Sequence, residues 1–431
     1  MHIYFSGIGG TAIGPLALIA KQAGYQVSGS DAQHSNYIDY LKQKGITQIH
    51  IGQAAEQIAK VHQLNPIDWL VYSSALPKTD PHHPELDFCV QNGIKTSKRD
   101  ELLNQIIKDK NLKMIAVAGT HGKTTTTAMT IWLFKQLGLP ISYSVGAKLS
   151  FGEMGEFNPD SEYFVYEADE YDRNFLSFYP ELGTITGLDW DHPDIYPTQE
   201  SYDEAFIEFL EQCSRVLIWH EDAEKLGIIL DQKYQVMDDK DPVIDGKIKL
   251  AGWVNRANAW QAVQIVKAAV GKSEDELIEL VNKFPGLSRR FEQIVLGLYS
   301  DYAHTPPKVR GALQLAHEVA GDNVVVVYEG LHNTRQHFIK DELKDLFAGV
   351  KELYVVPSYL AREDPNLELL TPDKLLDLLS NSVKDKAHTA QLDEALKHSI
   401  RGHLDKGDLV LCLSAGGAGS LDEWLRKEFQ S

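Results

Sequence analysis

The stretch Gly119-Thr120-His121-Gly122-Lys123-Thr124-Thr125 has the residue types and spacing of a loop that binds the phosphates of a nucleotide. Its two glycines allow the backbone to turn sharply, so that several N–H groups point into one concavity. The ammonium group of Lys123 can contact the terminal phosphates, and the hydroxyl of Thr124 can coordinate Mg²⁺. The loop is two residues shorter than the general G-x-x-x-x-G-K-S/T pattern. An ordinary turn between a strand and a helix is the alternative.

The segments on either side of this loop have the apolar patterns needed to position it. An uninterrupted apolar run from Met114 to Ala118 predicts a buried strand before the loop. Apolar residues after Thr124 predict a buried helix. The positive N-terminal end of that helix would face the same phosphates.

Two acidic segments follow later strand patterns, and the first of them could hold a divalent cation. Glu167-Ala168-Asp169-Glu170-Tyr171-Asp172 comes after the predicted strand 163–166, and Asp189-Trp190-Asp191-His192 follows the predicted strand 182–187. The carboxyl ends of parallel strands meet at one edge of a sheet, so we expect these side chains near the phosphate-binding loop. Carboxylates are suitable ligands for a hard divalent cation, and a solvated charged loop is the alternative.

A second glycine-rich turn lies close to the start of the sequence. Gly7-Ile8-Gly9-Gly10-Thr11 follows a short apolar strand pattern, and the next predicted strand ends in Ser30-Asp31. This order is typical of a βαβ unit in which a helix N-terminus binds an anion and the acid lies near a ribose. The turn alone is a weak signal, because glycines at such positions can also serve helix packing.

Length and strand pattern together predict an α/β protein of three domains. A chain of 431 residues exceeds what one hydrophobic core usually holds. We expect a Rossmann-like doubly wound domain over 1–108, a central parallel-sheet domain with the phosphate-binding loop over 109–284, and a C-terminal Rossmann-like α/β domain over 285–431. The polar residues 108–111 are the expected linker, and a short hairpin is expected within 221–251. The loop 414–420 is either a further anion contact or a simple tight turn.

Composition excludes several classes of function. The formal net charge of −19 argues against nucleic acid as a partner. No apolar run is long enough to predict a membrane span, and the N-terminal residues lack the basic region of a signal peptide. The three cysteines, Cys89, Cys213 and Cys412, are far apart and odd in number, which predicts packed, reduced thiols. We therefore expect a cytoplasmic protein.

Taken together, the motifs resemble those of the Mur ligases, ATP-dependent enzymes that form amide bonds in peptidoglycan precursors. The resemblance covers essentially the whole chain and depends on the following segments in this order: Gly119–Thr125, Glu167–Glu170, Asp191-His192, Asn255 with Asn258, Arg289-Arg290-Phe291, and Asp301-Tyr302-Ala303-His304 before Pro306. It implies ATP and Mg²⁺ as cofactors, UDP-N-acetylmuramate and L-alanine as substrates, and a monomer or homodimer. ATP would convert a substrate carboxylate to an acyl phosphate, from which the amine of the amino acid would displace phosphate.

The resemblance also implies roles for individual residues. The expected catalytic residues are Lys123, Glu167, His192 and Arg290, and the expected metal ligands are Thr124, Glu167 and His192. ATP contacts are expected from Gly119, Thr120, His121, Gly122, Lys123, Thr124, Thr125, Asn255, Arg290 and Asp301, with Asn255 at the adenine and Asp301 at the ribose. The UDP-sugar would contact Gly7, Gly9, Gly10, Thr11, Ser30, Asp31, Ser73, Ser74 and Arg99. The amino acid would contact Tyr302, His332 and Arg335.

The sequence departs from the family pattern at two places. The family's histidine before Asn255 is Val254 here, and its Pro-His-Arg-Tyr-Thr-Arg loop is replaced by Gly330-Leu331-His332-Asn333-Thr334-Arg335. ATP use is therefore indicated more specifically than the identity of the amino-acid substrate. The alternatives are a recycling ligase that attaches a murein tripeptide to UDP-N-acetylmuramate, and a nucleotide-binding regulator without ligase activity.

Overall fold

Three groups of apolar strand segments form three separate sheets, as the sequence predicts. The computed structural model describes residues 1–73, 76, 80–192, 195–360, 363–417 and 419–430. These residues form two compact units, one of 1–248 with 258–284 and one of 249–257 with 285–431. The first unit contains two of the sheets and the second unit contains the third. We retain 1–108, 109–284 and 285–431 as proposed domain boundaries.

The first sheet has five parallel strands in the order β3-β2-β1-β4-β5, which confirms the doubly wound prediction. Its strands are β1 (His2–Ser6), β2 (Gln26–Asp31), β3 (Ile49–Ile51), β4 (Trp69–Tyr72) and β5 (Lys95–Lys98). The helices described here are α1 (Ile13–Gln22), α2 (Asn36–Gln43), α3 (Ala55–Leu64), α4 (Pro84–Gln91) and α5 (Arg99–Asp109). The predicted linker was placed too early, because Lys108 and Asp109 form the last turn of α5.

The second sheet has seven strands in the order β12-β11-β10-β6-β9-β7-β8, all parallel except β8. They are β6 (Lys113–Ala118), β7 (Ser142–Ser144), β8 (Gly155–Glu156), β9 (Tyr163–Glu167), β10 (Leu182–Ile185), β11 (Arg215–Trp219) and β12 (Tyr234–Met237). The helices are α6 (Lys123–Gln136), α7 (Gln199–Gln212), α8 (His220–Lys225), α9 (Pro242–Gly246), α10 (Trp253–Val270) and α11 (Glu274–Val281), with a 3-10 helix at Tyr171–Ser177.

The prediction of a short hairpin within 221–251 is wrong. Strand β12 pairs with β11 in parallel, with Val216 opposite Tyr234. Parallel neighbours need a crossover connection, and helix α8 provides it. Strand β6 lies between β9 and β10, so the phosphate-binding loop and both acidic segments follow three adjacent parallel strands, as predicted.

The third sheet has the order β13-β14-β18-β15-β16-β17, with only the β13–β14 pair antiparallel among these strands. The strands are β13 (Glu292–Val295), β14 (Leu298–Asp301), β15 (Val324–Leu331), β16 (Glu352–Tyr359), β17 (Ala387–Thr389) and β18 (Leu409–Leu413). The helices are α12 (Pro306–Ala320), α13 (Asn333–Leu343), α14 (Pro372–Leu378), α15 (Asn381–Lys384), α16 (Glu394–Asp405) and α17 (Leu421–Phe429).

The central strands are buried on both faces, which explains their continuous apolar runs. The cysteines Cys89, Cys213 and Cys412 are free and buried, as predicted. Across the described part of the chain, no helix combines the length and apolar character that crossing a membrane requires.

Candidate active site

The phosphate-binding loop makes its turn at two glycines that no larger residue could replace without a shift of neighbouring atoms. Gly119 and Gly122 have φ angles of +131° and +76°, in the region that favours glycine. A Cβ atom on Gly122 would lie 2.6 Å from Oδ1 of Asn258, and one on Gly119 would lie 2.5 Å from Oγ1 of Thr186. Gly122 also precedes the first turn of α6, so the backbone amides of that turn face the loop.

Contacts from the segment after β10 hold the loop in shape. The hydroxyl of Thr120 donates to the carbonyl oxygen of Asp189 at 2.6 Å. Nε2 of His121 lies 3.0 Å from the Asp189 carboxylate, and the Thr186 hydroxyl donates to the His121 carbonyl oxygen. The side chains of Thr120 and His121 are therefore engaged in shaping the loop.

Lys123 is held at the start of α6 by two acceptors. Its Nζ donates to the Gly119 carbonyl oxygen at 2.5 Å and to Oε2 of Glu170 at 2.7 Å. Burial by itself lowers the pKa of Lys123, but Glu170 and the nearby Asp169 outweigh that effect and raise it above its ordinary value. The side chain therefore carries its positive charge at neutral pH.

Thr124, in the first turn of α6, contacts Glu167, the last residue of β9. The Thr124 hydroxyl donates to Oε1 of Glu167 at 2.7 Å, and the backbone N–H of Gly146 donates to Oε2 at 2.6 Å. One hydroxyl and one carboxylate fit Mg²⁺, which in nucleotide sites takes one or two carboxylates together with phosphate oxygens and waters. These two predicted metal ligands therefore lie next to each other, 2.7 Å apart.

His192, predicted as a metal ligand together with Thr124 and Glu167, lies beside the carboxylates of Glu170 and Asp191. Its Nε2 lies 3.7 Å from Oε1 of Glu170 and 3.9 Å from Oδ2 of Asp191. Its φ angle of +58° is unusual for a residue with a Cβ atom. Among the residues that the structure describes, no group of three or more His, Cys, Asp or Glu side chains could hold a metal ion by itself.

A cavity of about 300 Å³ joins residues of the first and second sheets. Thr11 and Arg99, both predicted to contact the UDP-sugar, line it together with Lys123 and Glu167. Nη2 of Arg99 lies 3.3 Å from Oδ2 of Asp169. The structure therefore places predicted sugar-binding and phosphate-binding residues around one space.

Asp100, next to Arg99, lines the same cavity. Burial raises the pKa of Asp100 to about 6, and the adjacent guanidinium of Arg99 opposes this rise. Nε of Arg99 lies 3.3 Å from Oδ1 of Asp100.

The N-terminal glycine turn is closed by the end of β2. The backbone N–H groups of Gly7 and Ile8 donate to the Ser30 carbonyl oxygen at 2.9 Å, and that of Gly9 donates to Oδ2 of Asp31 at 2.8 Å. The N–H of Gly10 donates to the carbonyl oxygen of Gly7. Asp31 thus shapes the turn. Ser73 follows the last residue of β4, and Ser74 lies outside the described residues.

In the second unit, Arg290, Asp301 and Tyr302 form one group. The N–H of Phe291 donates to Oδ2 of Asp301 at 2.7 Å. Burial raises the pKa of Asp301 to about 6, and the positive charge of Arg290 opposes this rise. The guanidinium groups of Arg289 and Arg290 lie 4.7 and 4.9 Å from the centre of the Tyr302 ring.

The other predicted amino-acid contacts lie where α13 begins. Nδ1 of His332 is 3.5 Å from Oε1 of Glu363, and the N–H of Thr334 donates to Oε2 of Glu363 at 3.0 Å. Arg335 lies half-buried in the first turn of α13. Glu363 is not predicted from the sequence, because no motif connects this distant loop residue to His332.

The two asparagines of α10 have different surroundings. Nδ2 of Asn255 donates to the carbonyl oxygen of Ala251 at 3.0 Å. Asn258 is buried, with its amide oxygen beside Gly122. Of the two asparagines, Asn258 is therefore the one that packs against the phosphate-binding loop.

In and next to the loop 414–420, of which the structure describes every residue except Ala418, several hydroxyl and amide groups have acidic partners. Glu329 accepts from the Ser414 hydroxyl at 2.5 Å and from the N–H of Leu421 at 2.9 Å. The N–H of Gly419 donates to the Glu423 carboxylate. Of the two alternatives, this arrangement favours the tight turn.

Comparisons with known proteins match most of the chain to one family. The families described as "Mur ligase family, catalytic domain", "Mur ligase middle domain" and "Mur ligase, glutamate ligase domain" match residues 2–111, 117–238 and 289–416. A UDP-N-acetylmuramate–L-alanine ligase of Clostridium beijerinckii is 30% identical over 451 residues, covering 96% of this chain and 95% of the relative.

Solved structures share the fold at lower identity. The UDP-N-acetylmuramate–alanine ligase MurC of Thermotoga maritima is 23% identical with a TM-score of 0.72, covering 100% of this chain and 98% of that one. A murein peptide ligase of Psychrobacter arcticus is 21% identical with a TM-score of 0.64 and the same coverage. The chain therefore belongs to the Mur ligase family and is a ligase with that family's three-domain α/β fold.

Proposed function

We propose that this enzyme joins L-alanine to the lactyl carboxylate of UDP-N-acetylmuramate in an ATP-dependent reaction of peptidoglycan precursor synthesis. The observation that carries the proposal is the cavity that Thr11 and Arg99 share with Lys123 and Glu167. Such a cavity can hold a carboxylate next to the terminal phosphate of ATP. The relative from Clostridium beijerinckii, named for this activity, supports the same conclusion over nearly the full length of the chain.

The proposed reaction has two steps. A carboxylate oxygen of the sugar attacks the γ-phosphorus of ATP, ADP leaves, and an acyl phosphate forms. The amine of alanine then attacks the acyl carbon, inorganic phosphate leaves, and the amine loses a proton as the amide forms. Lys123 and the amides of the phosphate-binding loop stabilise the negative charge of the transferring phosphoryl group.

A metal ion fits the first step, and we assign it to Thr124 and Glu167. When bound, Mg²⁺ would neutralise charge on the phosphates of ATP. We propose that His192 completes this end of the site beside Glu170 and that Arg290 contributes a further positive charge to the phosphates.

The remaining assignments concern the ends of the substrates. We propose that Asn255 contacts the adenine and Asp301 the ribose of ATP. Tyr302, His332 and Arg335 would bind the amino acid, with Arg335 paired to its carboxylate because a planar guanidinium suits bidentate binding. Of these residues, His332 lies with its Nδ1 3.5 Å from the Glu363 carboxylate.

A murein tripeptide is the second candidate acceptor. The observation that favours it is the loop 330–335, which differs from the family's usual amino-acid loop. In this loop, Glu363 lies beside His332 and accepts from the N–H of Thr334. The fold shared with the murein peptide ligase of Psychrobacter arcticus is consistent with this alternative.

We also propose that the enzyme works in the cytoplasm. The buried, unpaired thiols of Cys89, Cys213 and Cys412 fit a reducing compartment.

Phosphate release tests the substrate assignment. The purified enzyme is given ATP, Mg²⁺ and UDP-N-acetylmuramate, and L-alanine, L-serine, glycine and the murein tripeptide are compared as acceptors. We expect the highest kcat/KM with L-alanine. A higher kcat/KM with the tripeptide would establish the recycling reaction, and no acceptor-dependent phosphate release would contradict ligase activity toward this sugar.

A further inference from the structure

Glu170 occupies a central position in the site although the assignments above give it no role. Its side chain is 2% exposed and lies beside two of the catalytic candidates, Lys123 and His192. Oε2 is 2.7 Å from Nζ of Lys123, and Oε1 is 3.7 Å from Nε2 of His192. Since a buried carboxylate is costly unless it is paired, this arrangement constrains all three side chains.

The backbone of Glu170 is also fixed. The hydroxyl of Tyr196 donates to its carbonyl oxygen at 2.5 Å, and the Tyr171 ring packs edge-on against the His192 ring at 5.2 Å. The carboxylate therefore cannot follow Lys123 freely if that side chain moves toward a ligand. Lys123 in turn lines the 300 Å³ cavity and donates from its ammonium to Glu170.

We propose that Glu170 is a positioning residue that fixes the Lys123 ammonium at the phosphate-binding loop and connects it to His192. This proposal rests on the function proposed above. Holding the ammonium in one place favours the transition state, because no reorganisation is then needed as charge develops on the phosphoryl group. The same carboxylate repels the phosphates of ATP, so the enzyme has lower nucleotide affinity than it would have with a neutral residue there.

Glu170→Gln separates these two effects, since it keeps size and removes charge. Damage to the structure would weaken ATP binding and slow turnover together. A positioning role instead predicts that Glu170→Gln binds ATP more tightly but turns over more slowly. The matched control is Glu208→Gln, which removes the same charge from an exposed pair with Arg173 at 2.7 Å.

ATP affinity is measured by calorimetry in EDTA, so that no metal contributes, and kcat is measured with all substrates and Mg²⁺. We expect Glu170→Gln to lower the Kd for ATP about 5- to 10-fold and to lower kcat by about 10-fold or more. Glu208→Gln should have the wild-type Kd for ATP and the wild-type kcat. A Kd that rises or does not change, or a kcat that stays within about 2-fold of wild type, overturns the proposal.

Thermal unfolding without nucleotide gives a second test that does not depend on activity. Removing one partner of a buried ion pair leaves the other charge uncompensated, whereas removing both is far less harmful. Lys123→Met should therefore lower Tm, and Lys123→Met with Glu170→Gln should recover most of the loss. If Glu170→Gln alone does not fold, the comparison of Lys123→Met with the double variant tests the proposal. A double variant whose Tm is no higher than that of Lys123→Met overturns it.

The two proposals fail in different ways. Wild-type enzyme that binds no ATP would overturn the ligase assignment and the role of Glu170 with it. ATP binding that Glu170→Gln leaves unchanged would overturn the role of Glu170 alone.

Discussion

The hydroxyl of Thr124 lies 2.7 Å from the carboxylate of Glu167, although the two residues are 43 positions apart in the chain. Thr124 is in the first turn of α6, and Glu167 is the last residue of β9. Strands β6 and β9 are parallel neighbours, with Val117 opposite Glu167, so the turn after β6 passes directly over the end of β9. This register brings the two proposed metal ligands together.

Glu167→Gln should raise the Mg²⁺ concentration needed for half-maximal activity by about 10-fold or more. One anionic oxygen ligand becomes a neutral amide of the same size, and Mg²⁺ binds carboxylates more strongly than amides. The measurement is a Mg²⁺ titration of the initial rate at saturating ATP. Glu162→Gln, at an exposed pair with Lys113, is the control. Superimposable titrations of Glu167→Gln and wild type would mean that Glu167 is not a ligand.

Lys123→Ala should lower kcat by more than about 10²-fold, because the ammonium acts where charge develops in the transition state. Binding of UDP-N-acetylmuramate, followed by calorimetry, should change little. Lys113→Ala removes an exposed lysine at the start of β6 and should leave kcat unaltered. A Lys123→Ala enzyme with more than about a tenth of the wild-type rate would refute the catalytic role.

Much of this arrangement could be predicted from the sequence, because local patterns determine it. Glycine positions, apolar runs and acids at strand ends predicted the loop over β6 and the grouping of Lys123, Thr124 and Glu167. Where a contact depends on the direction of a side chain, the sequence was insufficient. His192 has a backbone φ of +58° and lies 3.7 Å from Glu170, and nothing in the residue order indicates either feature.

The wrong hairpin prediction and the partners that were not predicted have a similar cause. The polar segment 221–251 has weak periodicity, so a hairpin was expected where α8 makes β12 a parallel edge strand. The partners Glu329 and Glu363 come from loops or strand ends far from the residues they bind. Such pairings are set by tertiary structure, and a single sequence does not contain the signal for them.

Arg335→Lys should raise the KM for the amino acid by about 10-fold and leave the KM for ATP nearly unchanged. Lysine keeps the positive charge but loses the bidentate geometry, and a hydrogen bond to a charged group contributes about 1.5–3 kcal/mol. Arg310→Lys, at an exposed pair with Glu342, is the control. If Arg335→Lys does not change the KM for the amino acid, a residue other than Arg335 binds the carboxylate.

Asp222→Asn should stabilise the protein at neutral pH and much less at acidic pH. Burial raises the folded pKa of Asp222 from 3.8 to about 6, and Lys225 at 3.9 Å opposes the rise. The folded state therefore binds more protons than the unfolded state between pH 3.8 and about 6, so wild-type stability falls as pH rises through that range.

The size of the effect follows from the same values. The difference between 3.8 and about 6 corresponds to about 3 kcal/mol, so we expect a gain of about 1–3 kcal/mol for Asp222→Asn at neutral pH. Urea unfolding near pH 4 and near pH 7 measures it. The exposed neighbour Glu221 offers a control, Glu221→Gln, whose stability should follow wild type. Equal destabilisation of Asp222→Asn at both pH values would contradict this prediction.

The central claim is that ATP activates a carboxylate of the sugar as an acyl phosphate in the cavity beside Lys123 and Glu167. The direct test uses UDP-N-acetylmuramate with ¹⁸O in both oxygens of its lactyl carboxylate, together with ATP, Mg²⁺ and L-alanine. Attack of that carboxylate on the γ-phosphorus transfers one labelled oxygen to each released phosphate, which mass spectrometry detects. We predict one ¹⁸O atom per phosphate, in proportion to amide formed. Amide formation with unlabelled phosphate would contradict the account.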